Sequence, residues 1–253
     1  MITEQTITNN WDRFTIILKD AEKNNDRWKP LVKFYDTNAT RIALMPASSK
    51  TSYHSAFPGG YVHHILNVYD CAFKVKKIWE ESGAIIDFAD DELIFTALNH
   101  DLGKFGTISD EAYIDQDSDW HSKRGEVYKH NPAVPFMKVN HRSLFILQEL
   151  GVKMTENEYI TILIHDGLYE EGNKSYFINF SPEYKLRSNL PYIIHQGDLM
   201  AARIEGDLLK KPTKSNNQRI IPDVPKNDRQ PLNEGVSVKP KSSNNLLKKF
   251  LSV

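Results

Sequence analysis

The stretch from Thr96 to Gly106, TALNHDLGKFG, sets His100 beside Asp101 at the end of an apolar run, with Lys104 three residues on. An imidazole and a carboxylate side by side at a helix end suit a metal ion. A mixed nitrogen and oxygen donor set suits Zn, Mn, Fe, Ni or Mg. An ion needs further donors, and the chain has nine His, at positions 54, 63, 64, 100, 121, 130, 141, 165 and 195. Five of them, His64, His100, His141, His165 and His195, fall on or beside apolar helical patterns. A core-facing imidazole must find a partner, because burying a polar group without one costs free energy. For a single His that partner is usually a backbone carbonyl. Several such residues sharing a fold with two buried-looking acids, Asp101 and Asp198, point instead to a shared ion.

The elements that must position these groups read as helices. Trp11, Phe14, Leu18 and Ala21 recur at helical spacing behind Asn residues suited to capping. Residues 28–60, broken by Pro30, Pro46 and Pro58, read as a connector with little regular structure. Gly59-Gly60 opens a helix whose apolar face is Val62, Ile65, Leu66, Tyr69, Ala72 and Phe73, and Gly83 stops it. The next helix starts with Asp90, Asp91 and Glu92, placed favourably for the helix dipole. Residues 106–138 look irregular, and a loop of that length in a compact domain is often functional. Two helices follow, the second opened by a capping box of Thr155 and Glu158. A last helix runs from about 186 to 209. There are few strand patterns and no internal repeat, so the expected class is all-α.

The totals set outer limits. A chain of 253 residues with 40% hydrophobic and 11% aromatic content can bury a sizeable core. No apolar run reaches the ~18 residues that would suggest a membrane span. No signal peptide is read, and the single cysteine, Cys71, excludes an internal disulfide, which fits a cytoplasmic setting. The net charge of −1 conceals an asymmetry: residues 203–253 carry 11 Lys/Arg against 5 Asp/Glu, and the rest 21 against 28. An acidic body argues against non-specific duplex binding by the folded part.

His64, then His100-Asp101, then Asp198 on a later helix, forms the order H…HD…D, which resembles the HD-domain metal-dependent phosphohydrolases. YHSAFPGGYVHHILNV is similar to the YHxAxxGGLLEHT opening of a branch that includes HD-type 3′→5′ exoribonucleases. ALNHDLGKFG is similar to its ALLHDLGK. The resemblance covers residues 53 to about 205 and extends to phage-encoded HD proteins, for which the compartment would be the host cytoplasm. It implies an HD helical bundle over 51–208, with a helix and connector over 1–50 and a flexible basic tail over 209–253. It implies one or two divalent ions (Mn, Mg, Ni, Zn or Fe). His64, His100, Asp101 and Asp198 would hold the first, and His141, His165 and Asp101 the second. His63 would lie outside the donor set. The branch often has His-His-Gly where this chain has His165-Asp166-Gly167, which leaves the role of Asp166 open. Asp101 would orient the attacking water, Lys104 would meet a phosphate, and Arg142 and His54 would help to bind substrate.

The implied activity is hydrolysis of phosphoesters in nucleotides or single-stranded nucleic-acid ends. A di-iron oxygenase and a non-catalytic module acting through its tail are the alternatives. Tyr113, Trp120 and Tyr128 in the long loop offer stacking surfaces for a base. The end of the tail, NNLLKKFL, resembles a sliding-clamp binding peptide, with Asn244, Leu247, Phe250 and Leu251 at its key positions. A replication partner is the corresponding expectation.

Overall fold

The computed structural model describes residues 2–179 and 181–209. The flexible tail and its clamp-like end lie outside the described residues. Among those residues the chain is mostly helical. The helices are α1 Glu4–Asn24, α2 Lys29–Thr37, α3 Ala39–Leu44, α4 Gly60–Glu81, α5 Asp90–Asn99, α6 Asp119–Lys123, α7 Val139–Glu149, α8 Glu156–Ile164, α9 Lys174–Phe177 and α10 Leu190–Leu209. Two short strands, β1 Tyr113–Asp115 and β2 Tyr128–His130, pair antiparallel with Ile114 opposite Lys129.

Residues 28–60 depart from expectation. They contain α2 and α3, and Leu31, Val32, Phe34 and Tyr35 of α2 are buried. Pro30 stands in the first turn of α2, where its missing N–H costs nothing and its fixed φ favours a helix start rather than a break. The first helix also begins earlier than its Asn residues suggest. Thr3 caps it, accepting a hydrogen bond from Thr6 N–H. The long loop is not wholly irregular. The β1–β2 hairpin and α6 lie within it, and the hairpin is tied to residues 50–51 by the Lys50–Glu126 pair (3.0 Å) and by Thr51 N–H donating to Gly125 O (2.8 Å).

One large core joins the N-terminal helices to the rest. Phe14, Leu18, Trp28, Phe34 and Tyr35 pack with Ile65, Phe95, Leu98, Leu147 and Ile162. Residue 50 is therefore no boundary in packing. Each such side chain contributes roughly 1.5–3 kcal/mol on burial. The capping box of α8 forms as read: Thr155 Oγ1 accepts from Glu158 N–H, and Glu158 Oε2 accepts from Thr155 N–H.

The most extensive helix pair is α4 with α10. Gly197 of α10 lies against the backbone of Ala72 of α4, where a side chain would press on its neighbour. The two axes can thus approach closely, which carries Asp198, the next residue, towards the N-terminal half of α4.

Candidate metal centre

All the donors but His54 are presented by a helix or its end. His64 lies in the second turn of α4 and Asp198 in the middle of α10. His100 is the C-cap of α5, and Asp101 starts the 3₁₀ turn Leu102–Phe105 that follows. His165 is the C-cap of α8. The last carbonyls of a helix lack intrahelical donors, and these two His residues use them alike. His100 Nδ1–H donates to Ala97 O (2.9 Å), and His165 Nδ1–H donates to Ile162 O (2.8 Å). That bond places the proton on Nδ1 and turns Nε2 inward. Ser143 Oγ–H donates to His100 O (2.8 Å) and accepts from Gly103 N–H (2.8 Å), fixing the turn.

The inward atoms converge. His64 Nε2 lies 3.2 Å from Asp198 Oδ1 and 3.7 Å from Asp101 Oδ2. His100 Nε2 is 3.6 Å from Asp101 Oδ2, and His165 Nε2 is 3.7 Å from Asp101 Oδ1. Donors placed about 2.1 Å from one ion lie roughly 3.0–3.4 Å apart in octahedral or tetrahedral arrangements, so the His64–Asp198 separation matches a coordination shell and the other three are a few tenths of an ångström wider. The groups His64–His100–Asp198, His100–Asp101–His165 and His54–His64–Asp101 each bring their donors within 4.8 Å of one another. The Nε2 atoms of His54, His64 and His100 are buried without a hydrogen-bond partner. Orphaned buried nitrogens are costly, and a bound cation would satisfy them. The buried His and Asp residues could therefore hold a metal ion.

Electrostatics agree. Burial lowers the pKa of His54 to about 3 and of His100 to about 4, so both imidazoles stay neutral and able to ligate. Burial also opposes charge on His64 and His165, but neighbouring carboxylates prevail. Asp198 and Glu205 raise His64 to about 9, and Asp166 and Asp101 raise His165 to about 10. Burial opposes charge on Asp101 as well, yet Lys104 and the surrounding His residues hold its carboxyl well below the usual range. Lys104 Nζ is 2.5 Å from Asp101 Oδ2, and that carboxylate outweighs burial to keep the ammonium protonated.

Not every expected residue is here. His141 is exposed on the outer face of α7, beside Met137 and Phe145, and does not join the cluster. Arg142 is buried, but its guanidinium donates to Pro135 O instead of facing the cluster. Its assignment to phosphate is not supported. His54, expected to touch substrate, stacks on His64 with ring centroids 4.2 Å apart and joins the possible donors. His63 is half-buried, its Nε2 is 3.2 Å from Asn67 Nδ2, and it is in none of the donor groups. Asp166 reaches the edge of the cluster, with Oδ1 3.7 Å from His165 Nε2. His195 Nδ1–H donates to His165 O (2.8 Å), and its ring lies over Gly167. Gly167 has φ +58° and no space for a Cβ beneath that ring, so glycine is required there twice over.

Glu205 was not legible as a site residue. It is 3% exposed and lies two turns after Asp198 on α10. Oε1 faces His64 Nδ1 at 3.2 Å and accepts from Asn67 Nδ2 (2.8 Å), and Oε2 accepts from Ser55 Oγ–H (2.7 Å). A carboxylate behind a ligating imidazole fixes its tautomer and orientation. Ser55 adopts φ +51°, the only positive φ at a non-glycine among the described residues, in order to reach it. Glu205→Ala should weaken metal binding by about 10- to 100-fold, measured by titration with Mn. Unchanged affinity would reduce Glu205 to a packing role.

The cluster opens on a cavity of about 610 Å³, faced by His54, Lys104, Asp198, His195, Asp166 and Tyr169 among others. Comparison with known proteins gives no relative: no family model, no curated protein and no solved structure matches the chain.

Proposed function

We propose that this chain is a metal-dependent phosphohydrolase of the HD type, acting on nucleotides or on the ends of single-stranded nucleic acid. The observation that carries the reading is the convergence of unpartnered His Nε2 atoms with Asp101 and Asp198 beside a cavity that Lys104 also lines. His64, His100, Asp101 and Asp198 would hold a divalent cation, with Mn, Mg, Ni, Zn and Fe as the candidates. Such a cation supplies positive charge to a phosphate oxygen and acidifies water. The side chains do the rest. Asp101 offers a carboxylate oxygen to orient a water and take its proton. Lys104 Nζ is charged, buried and next to Asp101, placed to meet a phosphate oxygen arriving from the cavity. His165 faces Asp101 from the other side and favours the loaded, deprotonated carboxylate. A di-iron oxygenase needs a second complete donor set. The outward position of His141 weighs against it and in favour of hydrolysis with one fully built site.

The test is metal analysis followed by a screen of nucleoside mono- and triphosphates, cyclic dinucleotides and short single strands with each of the five metals. Phosphate release or strand shortening with at least one metal supports the reading, and no turnover with any of them overturns it. Within that assay, Lys104→Ala should retain metal and lose about 10²-fold or more in turnover, as for removal of one charged group facing a developing anion. His141→Ala should match the parent in both measurements. Metal loss in His141→Ala would restore it to the donor set.

A further inference from the structure

A second cavity, of about 720 Å³, adjoins the first. Lys104 and Tyr113 line both, and no other residue does. Both volumes fall in the roughly 300–1,000 Å³ range of small-molecule sites. A phosphate held at Lys104 beside the donor cluster therefore has room on two sides.

The two spaces carry similar numbers of charges but engage them differently. The first has Asp198 and Asp166 beside the donor cluster, Arg203 and His195 near Lys104, and the aromatic rings of Tyr53 and Tyr169. The second has Glu111 and Asp115, with Met45, Leu44 and Tyr128 supplying apolar surface. Its one guanidinium is already engaged. Arg41 donates to the carbonyls of Phe105 (2.5 Å), Ile108 (3.1 Å) and Asp110 (2.7 Å) and lies 3.7 Å over the Phe105 ring. A further phosphate in this space would meet two carboxylates and, beyond the Lys104 shared with the first cavity, no available cation. A flat uncharged group such as a nucleobase would meet Tyr128 for stacking and carboxylates for its N–H groups, the ring N3–H of thymine included.

We propose that the centre, on the phosphohydrolase reading above, takes a phosphodiester with one organic arm in each cavity. A dinucleotide or strand-end linkage is then its substrate class, in preference to a phosphomonoester or a nucleoside triphosphate. In the reaction, water's oxygen bonds to phosphorus and the P–O bond to one arm breaks. One water proton ends on the departing alcohol, and the other on the phosphomonoester that remains on the second arm.

The experiment uses the full chain with Mn. It compares turnover of thymidine 5′-(p-nitrophenyl phosphate), a diester, with p-nitrophenyl phosphate, a monoester. It also measures binding of phosphorothioate-linked dithymidine by calorimetry. Thr40→Trp fills the mouth of the second cavity from an exposed position on α3, and Leu44→Trp repeats the test from a second exposed site on that wall. The diester kcat/KM should exceed the monoester value by at least about tenfold. Either variant should lower it by about tenfold while leaving the monoester within about twofold. Dithymidine affinity should fall in parallel. Preference for the monoester, or equal effects on both esters, overturns the two-armed site and leaves the hydrolase reading standing. No turnover of either ester overturns the hydrolase reading. Dithymidine binding weakened by Thr40→Trp would then still support the two-armed site, and no dithymidine binding would remove it too.

Discussion

Asp101→Ala is expected to fold, to retain no divalent metal and to hydrolyse no phosphoester. Asp101 is the one side chain that approaches His64, His100, His165 and Lys104 together, at 3.7, 3.6, 3.7 and 2.5 Å. Removing it takes away the one carboxylate the three imidazoles and the ammonium share, so a cation is less well balanced as well as under-coordinated. Loss of groups behind a ligand already costs about 10- to 100-fold in affinity, and loss of the ligand itself should exceed that. Catalysis loses the several kcal/mol that an ion supplies, which corresponds to about a thousandfold or more in rate. The fold should survive because Lys104 lines both cavities and water can reach it once its partner is gone. Asp101→Asn keeps the shape and should show the same metal loss. Metal content equal to the parent in both variants, read by elemental analysis, would remove Asp101 from the centre.

Arg27→Ala should be the most destabilising single change away from the centre, by about 3–5 kcal/mol. Arg27 Nη1 and Nη2 donate to Glu158 Oε2 (2.7 Å) and Oε1 (2.5 Å), and Nη2 also reaches Asp91 Oδ2 (2.6 Å). Trp28 Nε1–H donates to Asp91 Oδ1 (2.7 Å), and the guanidinium sits 4.6 Å from the Phe95 ring centroid. Glu158 is fully buried, and its pKa is raised by that burial despite Arg27. Without Arg27 it must carry an unpaired charge in the core or take up a proton. At about 2–4 °C per kcal/mol for a chain of this size, the thermal midpoint should fall by roughly 6–20 °C. Arg27→Met combined with Glu158→Leu should recover much of the loss, because apolar replacement of a buried pair is far cheaper than breaking it. A midpoint within about 2 °C of the parent for Arg27→Ala would refute the argument.

The sequence displayed the helices that build the centre more plainly than the direction of each side chain. In α4, apolar residues recur at helical spacing and Gly83 supplies a stop, so both its face and its end could be read. Pro30 shows how one signal can be taken in two ways: it breaks a helix interior but favours a first turn. His141 shows the same for the site. In α7 the buried residues include Asn140, Ser143, Leu144 and Leu147, and the period that unites these four puts His141, Phe145 and Gln148 outside. The residue type suited a donor, but the helical phase did not. Glu205 had the right phase, two turns beyond Asp198, but it stood at the start of a basic stretch and carried no motif. His54 precedes α4 in an irregular segment, where no periodicity tells a reader which way a ring will point.

The donors and their supports span His54 to Glu205, and two of the carboxylates arrive only with the last described helix. A ribosome that has released everything before α10 has therefore exposed four of the relevant imidazoles and Asp101, but neither Asp198 nor Glu205. Docking of α10 against α4, at Gly197 and Ala72, closes the set in a single event. On the metal-centre reading, a product truncated before Leu190 would keep the groups His54–His64–Asp101 and His100–Asp101–His165 but lack Asp198 and Glu205, and should hold a metal less tightly than the full chain.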